Sequence, residues 1–282
     1  MRFAFFGTPE FAEIILEKIV KNGLVPQVII CNPDRPLGRK QIITAPPTKI
    51  IAQKHNIPVW QPEKLDVHEF KNRLKNFDFA IVAAYAKIIP KEIISIPRLG
   101  TIVVHPSLLP RWRGATPIQN TILAGDKVTG TTLILADEKV DHGPILAGKD
   151  LEIEENDNYE TLIQKLAELS GELLIKIIPL WLEGKIRPET QNEDYATYTK
   201  KFGTEDGFVD LEKDDSVLIR RKVRALNPEP GVWTKIVPEN YFLIRANKKI
   251  VGKRIKILEA EIYQGRLKLK KIQIEGEKPQ NL

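Results

Sequence analysis

The sequence predicts an α/β protein with a doubly wound, mostly parallel sheet, followed by a smaller, mostly antiparallel β domain. Over the first half, short apolar runs with strand character alternate with amphipathic helical segments, the signature of βαβ units. From about residue 205, apolar and polar residues alternate at period two instead. The length of 282 residues suits about two such domains.

Taken in order, "RFAFFG" reads as a strand and "PEFAEIILEKIVKNG" as a helix, with Pro at its start and Gly after its end. "VPQVIICN" is a second strand, "PPTKIIAQKHN" a helix, "IPVWQ" a short strand and "VHEFKNRLKNF" a helix. "DFAIVAAY", "GTIVVH" and "TGTTLILAD" complete the sheet. "NYETLIQKLAELSGELLIKIIPLWLEG" is a long amphipathic helix that Gly184 ends. The polar, aperiodic "KIRPETQNEDYATYTKK" reads as a linker. Beyond it, "FVDLE" reads as a strand and "SVLIRRKVRAL" as a helix. "GVWTKIV", "YFLIRA", "KRIKILEAEIY" and "RLKLKKIQI" are strands of the second domain. The expected division is 1–187, a linker over 188–204, and 205–282.

A single cysteine, Cys31, excludes an internal disulfide and points to a reducing, cytoplasmic setting. One Cys and four His give no thiolate-rich zinc cluster, and no metal is expected. The apolar N-terminal "FAFF" is interrupted by Gly7, Pro9 and Glu10, so it reads neither as a signal h-region nor as a membrane span. The net charge of +6 is unevenly placed. Residues 216–282 carry 16 Lys+Arg against 6 Asp+Glu, and the remaining residues sum to −4. A basic tail on a mildly acidic body suits a polyanion; a lysine-rich solvated surface is the plainer reading.

In doubly wound sheets, ligands sit past the carboxyl ends of the strands. The residues to inspect are therefore Gly7 to Pro9, Asp34 to Arg39, Tyr85, His105 and Asp141. His105 closes the strand "TIVVH", and Asp141 follows "TTLILAD", so both are expected on one rim. A carboxylate that orients an imidazole makes a proton-handling pair; a packed core histidine is the alternative. Arg111 and Arg113 flank Trp112 in "SLLPRWRG", which suits a flat anionic ligand or, more plainly, a rigid connector. Arg35, Arg39 and Lys40 form a basic loop after the second strand, binding element or solvated loop. GxGxxG, P-loop and GxSxG motifs are absent from the sequence.

"FFGTPEFA", "PDRPLGRKQIITAPPTKIIAQKHNIPVWQPEKL", "IVAAYAKIIP", "HPSLLPRWRGATPIQNTILAGD", "TGTTLILADEKVDHGPIL", "ATYTKKFGTEDGFVDL" and "RALNPEPGVWT" occur in this order. Together they resemble the methionyl-tRNA formyltransferase family over nearly the whole chain. "SLLPRWRG" is shared by the wider group that uses 10-formyltetrahydrofolate, whereas "PDRPLGR" and "RALNPEPG" belong to the tRNA-acting branch. The resemblance implies a Rossmann-like catalytic domain and a C-terminal β-barrel of OB-like type. It implies formyl transfer from 10-formyltetrahydrofolate, as co-substrate, to the methionine amine of initiator Met-tRNA in translation initiation. His105 and Asp141 match the catalytic His and Asp. The folate would lie along Ala84, Tyr85, Ser107, Leu108, Leu109, Pro110 and Val140. The tRNA would be held by Arg35, Arg39, Lys40, Lys200, Lys201 and the basic tail domain. A cytoplasmic monomer without membrane contact is expected.

Three positions depart from the family pattern. Val103 stands where an asparagine usually donates to the developing oxyanion, and loss of one such donor costs ~10²–10³ in rate. It leaves as alternatives a 10-formyltetrahydrofolate hydrolase and a catalytically impaired binding protein; an amino-sugar formyltransferase on the same scaffold is a further one. Gln119 and Asn120 are candidate replacement donors. Ala86 replaces a glycine after the tyrosine, and the tail domain is shorter than the pattern by a strand or two.

Overall fold

The computed structural model describes residues 1–38, 40–235 and 252–282. The chain forms two compact units. Unit 1 comprises Met1–Gly114, Val128–Glu152 and Ile163–Tyr198; unit 2 comprises Ala115–Lys127, Ile153–Leu162 and Thr199–Leu282.

The chain begins with β1 (Phe3–Gly7), α1 (Glu10–Lys21), β2 (Val28–Ile30), β3 (Arg35–Leu37), β4 (Ile42–Thr44), α2 (Pro47–Lys54) and β5 (Val59–Trp60). It continues through α3 (Val67–Leu74), β6 (Phe79–Ala83), α4 (Lys91–Ile94), β7 (Thr101–His105), β8 (Arg113–Gly114) and α5 (Pro117–Ala124). Next come β9 (Val128–Leu135), β10 (Ile145–Glu152), α6 (Tyr159–Leu182) and β11 (Tyr198–Thr199). The last elements are α7 (Ser216–Leu226), β12 (Val232–Lys235), β13 (Arg254–Tyr263), β14 (Arg266–Ile274) and β15 (Gln280–Asn281).

Unit 1 is built on a seven-stranded sheet in the order β10-β9-β7-β6-β1-β2-β5. The five strands from β7 to β5 run parallel. All five residues of β1 are buried, as expected of a central strand covered on both faces. α1 packs Phe11, Ile15, Leu16 and Ile19 inward at helical spacing. Gly7 lets α1 approach, because a Cβ there would lie 2.6 Å from Ala12 Cβ. The side chains of Phe6, Phe70, Phe77 and Tyr85 share one core cluster.

Two features of this sheet differ from the sequence-based expectation. β9 runs antiparallel to β7, with His105 opposite Thr132 and Ile102 opposite Leu135, so β9 ends at the rim away from His105. The edge strand β10, antiparallel to β9, was not expected. Its half-exposed "ILAGKDLE" lacks the continuous apolar run that marks the central strands. In addition, the basic loop after β2 is a hairpin, β3 pairing antiparallel with β4. Arg39 lies outside the described residues.

Unit 2 contains α5, α7 and a four-stranded antiparallel sheet, β12-β13-β14-β15. α7 is capped by Asp215, which accepts from the amides of Val217 and Leu218, and buries Ile219, Val223, Ala225 and Leu226. β13 and β14 bury Ile255, Ile257, Leu269, Ile272 and Ile274. The strand read over 241–246 lies outside the described residues. "FVDLE" is not a strand: Phe208 makes an isolated bridge to Trp233, and Asp210 accepts from Glu212 and Lys213 amides, closing a turn.

Candidate active site

β7 delivers His105 to the end of the sheet, where its side chain is 5% exposed. Its Nε2 lies 2.9 Å from the Trp112 carbonyl oxygen. A carbonyl can accept but not donate, so Nε2 carries a proton in this arrangement and Nδ1 is the nitrogen left for exchange. Nδ1 is 3.4 Å from Asp141 Oδ2. The same carboxylate oxygen accepts the Gly114 amide at 2.7 Å. The 136–144 segment thus carries Asp141 back to the rim that the strand direction of β9 alone would deny it.

Both turns that hold this pair have unusual backbones. Trp112 and Asp141 adopt φ of 64° and 49°, as does Ala84 at 47°, after β6. Non-glycine residues rarely occupy this left-handed region, and those that do cluster at functional sites. Gly143 keeps the second turn tight, since a Cβ there would fall 1.7 Å from the Leu135 carbonyl oxygen.

The "SLLP" turn is pinned to β9. Thr132 Oγ1 donates to Ser107 O and accepts the Leu109 amide, at 2.6 and 3.1 Å, and Ser107 Oγ donates to Arg111 O. Ser107 and Leu109 are consequently buried, whereas Leu108 and Val140 are exposed. Ala84 and half-buried Pro110 are accessible at the ends of the adjacent strands β6 and β7. Tyr85 is buried against Phe6, with no partner for its hydroxyl among the described residues. Burial pushes that hydroxyl up to about 12.

Val103 occupies the same face of β7 as His105 and is half-buried. Neither proposed replacement donor is part of unit 1. Asn120 gives its amide to Thr116, and Gln119 lines a cavity of about 420 Å³ within unit 2, together with Thr116, Tyr159, Lys201, Phe202 and Pro230.

The arginines of "PRWRG" divide their roles. Arg111 lies over the Trp112 ring at 4.5 Å. Arg113 is fully buried and bonds Gln191, both oxygens of Glu193 and the Tyr198 hydroxyl. It is a structural anchor rather than a ligand for an anion. Its guanidinium holds the Glu193 carboxyl below the usual carboxylate range. These partners come from the segment that reads as a linker in sequence. Gln191 and Glu193 gave no periodic signal that would have marked them.

The remaining predicted residues belong to two units. Arg35 and Lys40 are exposed on or beside the β3–β4 hairpin, Arg35 lying 3.9 Å from Glu63. Lys200 and Lys201 belong to unit 2, where Lys200 lies 3.6 Å from Asp206. On the β13–β14 ribbon, Lys268 and Lys270 approach Glu261, and Lys271 approaches Glu259. Among the described residues no group of His, Cys, Asp and Glu is arranged to hold a metal ion, and no helix is long and apolar enough to cross a membrane.

The chain thus combines a seven-stranded α/β sheet, with His105 and Asp141 at one rim, and a second unit built on an antiparallel sheet. Residues 1–178 match the formyl transferase family and residues 201–282 match the formyl transferase C-terminal domain. The chain is 41% identical over 231 residues to the methionyl-tRNA formyltransferase of Halorhodospira halophila, covering 82% of this chain and 74% of that protein. It is 40% identical over 266 residues to that of Ehrlichia ruminantium, covering 93% and 81%. The chain belongs to the methionyl-tRNA formyltransferase family and is an enzyme of formyl transfer.

Solved structures agree in fold. Methionyl-tRNA formyltransferase from Clostridium thermocellum superposes with a TM-score of 0.63 at 19% identity, covering 97% of this chain and 98% of that one. HypX from Aquifex aeolicus in complex with tetrahydrofolic acid gives 0.65 at 18% identity, covering all of this chain and 46% of that one.

Proposed function

We propose that this chain transfers the formyl group of 10-formyltetrahydrofolate to the methionine amine of initiator Met-tRNA, in the cytoplasm, with His105 and Asp141 as its catalytic pair. The observation that carries the reading is the 3.4 Å contact between His105 Nδ1 and Asp141 Oδ2 at the end of β7. The folate supplies the formyl carbon and a nitrogen leaving group. Exposed Ala84, Leu108 and Val140, with Pro110, suit a flat, largely apolar ring system. Tyr85, Ser107 and Leu109 would support that surface from beneath.

Asp141 is the more accessible member of the pair, at 15% against 5%. Its Oδ2 is occupied by Gly114 and His105, which leaves Oδ1 to take the proton that the neutral methionine amine loses as it attacks. His105, fixed by Trp112, offers its unprotonated Nδ1 beside the same carboxyl group as a second acceptor for that proton. The new bond joins the methionine nitrogen to the formyl carbon. The bond from that carbon to the folate nitrogen breaks, and the proton ends on the leaving nitrogen.

Arg35 and Lys40 on or beside the hairpin, with Arg39, Lys200, Lys201 and the basic 205–282 domain, would hold the tRNA by its phosphates. In this reading 1–187 is catalytic and 188–204 links it to the tail domain, with 188–198 also bracing the site.

Val103 favours one competing reading, a hydrolase in which water replaces the amine. Supplying 10-formyltetrahydrofolate with and without initiator Met-tRNA separates the two. Formylated tRNA is expected; formate release at the same rate without tRNA would establish the hydrolase.

A further inference from the structure

Gln191 lies in the polar 185–201 segment, yet it is 5% exposed and uses its whole amide. Its Nε2 donates to the carbonyl oxygens of Asp141 and Gly143, at 2.9 and 2.8 Å. Its Oε1 accepts from Arg113 Nε and Nη2, at 3.1 and 2.8 Å. The side chain therefore clasps both turns of the site. One turn carries Asp141 itself. The other carries Trp112, whose carbonyl accepts from His105 Nε2, and Gly114, whose amide donates to Asp141 Oδ2. All of these residues belong to unit 1.

We propose that Gln191 is a positioning residue that holds the Asp141 carboxylate against His105; the proposal rests on the catalytic reading of that pair. Asp141 sits at φ 49°, a left-handed conformation uncommon for non-glycine residues, though aspartate takes it more readily than most. The hydrogen bonds hold the carbonyl of that residue and the one two residues after it. They tie it to a buried guanidinium that also spans Glu193 and Tyr198. The task needs a donor and an acceptor on one planar group, which an amide provides and a carboxylate or an alkyl chain does not. A misplacement of about 1 Å costs up to ~10²-fold in rate, so loss of this clamp should appear in turnover before it appears in substrate binding.

The test is Gln191→Glu, which keeps an oxygen for Arg113 and sets the other against two carbonyls, with Gln191→Met as an uncharged second variant. Formylation of initiator Met-tRNA is measured at saturation and by single turnover, beside thermal unfolding. The expected result is kcat down ~10- to 100-fold, with KM for folate and for tRNA within about twofold and the native fold retained. In an Asp141→Asn background, the same change should cost less than about twofold, because groups that act as a unit are not additive. Undiminished kcat in either variant, or a loss that multiplies fully in the Asp141→Asn background, overturns the proposal. So does loss of the native fold in both variants, which would make Gln191 a structural anchor. Failure of the catalytic reading looks different: Asp141→Asn alone would then keep wild-type turnover.

Discussion

His105 and Asp141 meet at 3.4 Å, Nδ1 to Oδ2, although the strands that precede them run in opposite directions. The meeting depends on the 136–144 segment, and within it on a left-handed Asp141 and a glycine at 143. The site is made by two turns held in uncommon conformations over a rigid sheet.

The carboxylate is the group with most to lose. Asp141→Ala should lower kcat by ~10²–10⁴ in a quenched formylation assay while circular dichroism and the unfolding midpoint stay near wild type. Wild-type turnover in a folded Asp141→Ala protein would remove Asp141 from the mechanism.

Val103 offers a gain-of-function test. It shares the face of His105 on β7, and under the proposed reading an amide there would be a donor for the developing oxyanion. Val103→Asn should raise kcat by about tenfold or more, at some loss of stability from placing a polar group in a half-buried site. A folded variant with unchanged kcat would mean that the developing oxyanion is served from elsewhere.

Gly143 tests the turn itself. Its substitution by alanine drives a Cβ to 1.7 Å from the Leu135 carbonyl oxygen, which is backbone and cannot swing aside. Gly143→Ala should destabilise by about 1–3 kcal/mol in chemical denaturation and lower turnover. An unaffected midpoint would show that the turn relaxes freely.

The pair of Arg113 and Glu193 predicts a pH dependence. Glu193 titrates below its unfolded value because Arg113 bonds it. The stabilisation is therefore complete above the unfolded value of about 4.3, and is lost as pH falls through the lower folded value. The stability difference between wild type and Glu193→Gln should be largest at neutral pH and vanish on acidification. It should also be modest, because Glu193 is 54% exposed. A difference that grows in acid would contradict the assignment.

Much of this was legible in the sequence because the physics was local. The central strands β1, β6 and β7 are unbroken apolar runs, and α1 and α7 carry helical periodicity. His105 closes an apolar strand and Asp141 follows one, but the sequence pattern alone suggests a parallel β9, and β9 is antiparallel. What escaped notice was set by tertiary contacts. β10 is a half-exposed edge strand. Gln191 and Glu193 sit in a polar stretch whose importance comes from a guanidinium far away in sequence. Arg113, flanked by an aromatic and a second arginine, carries the same local pattern as a ligand-binding arginine, and burial decides otherwise.

The most direct measurement is single-turnover transfer of labelled formyl from 10-formyltetrahydrofolate to initiator Met-tRNA, for wild type, His105→Ala and Asp141→Asn. Labelled formylmethionyl-tRNA from the wild type, with a loss of at least ~10²-fold in both folded variants, is the predicted result. Transfer at the wild-type rate in either variant, or formate released without any labelled tRNA, would contradict the account.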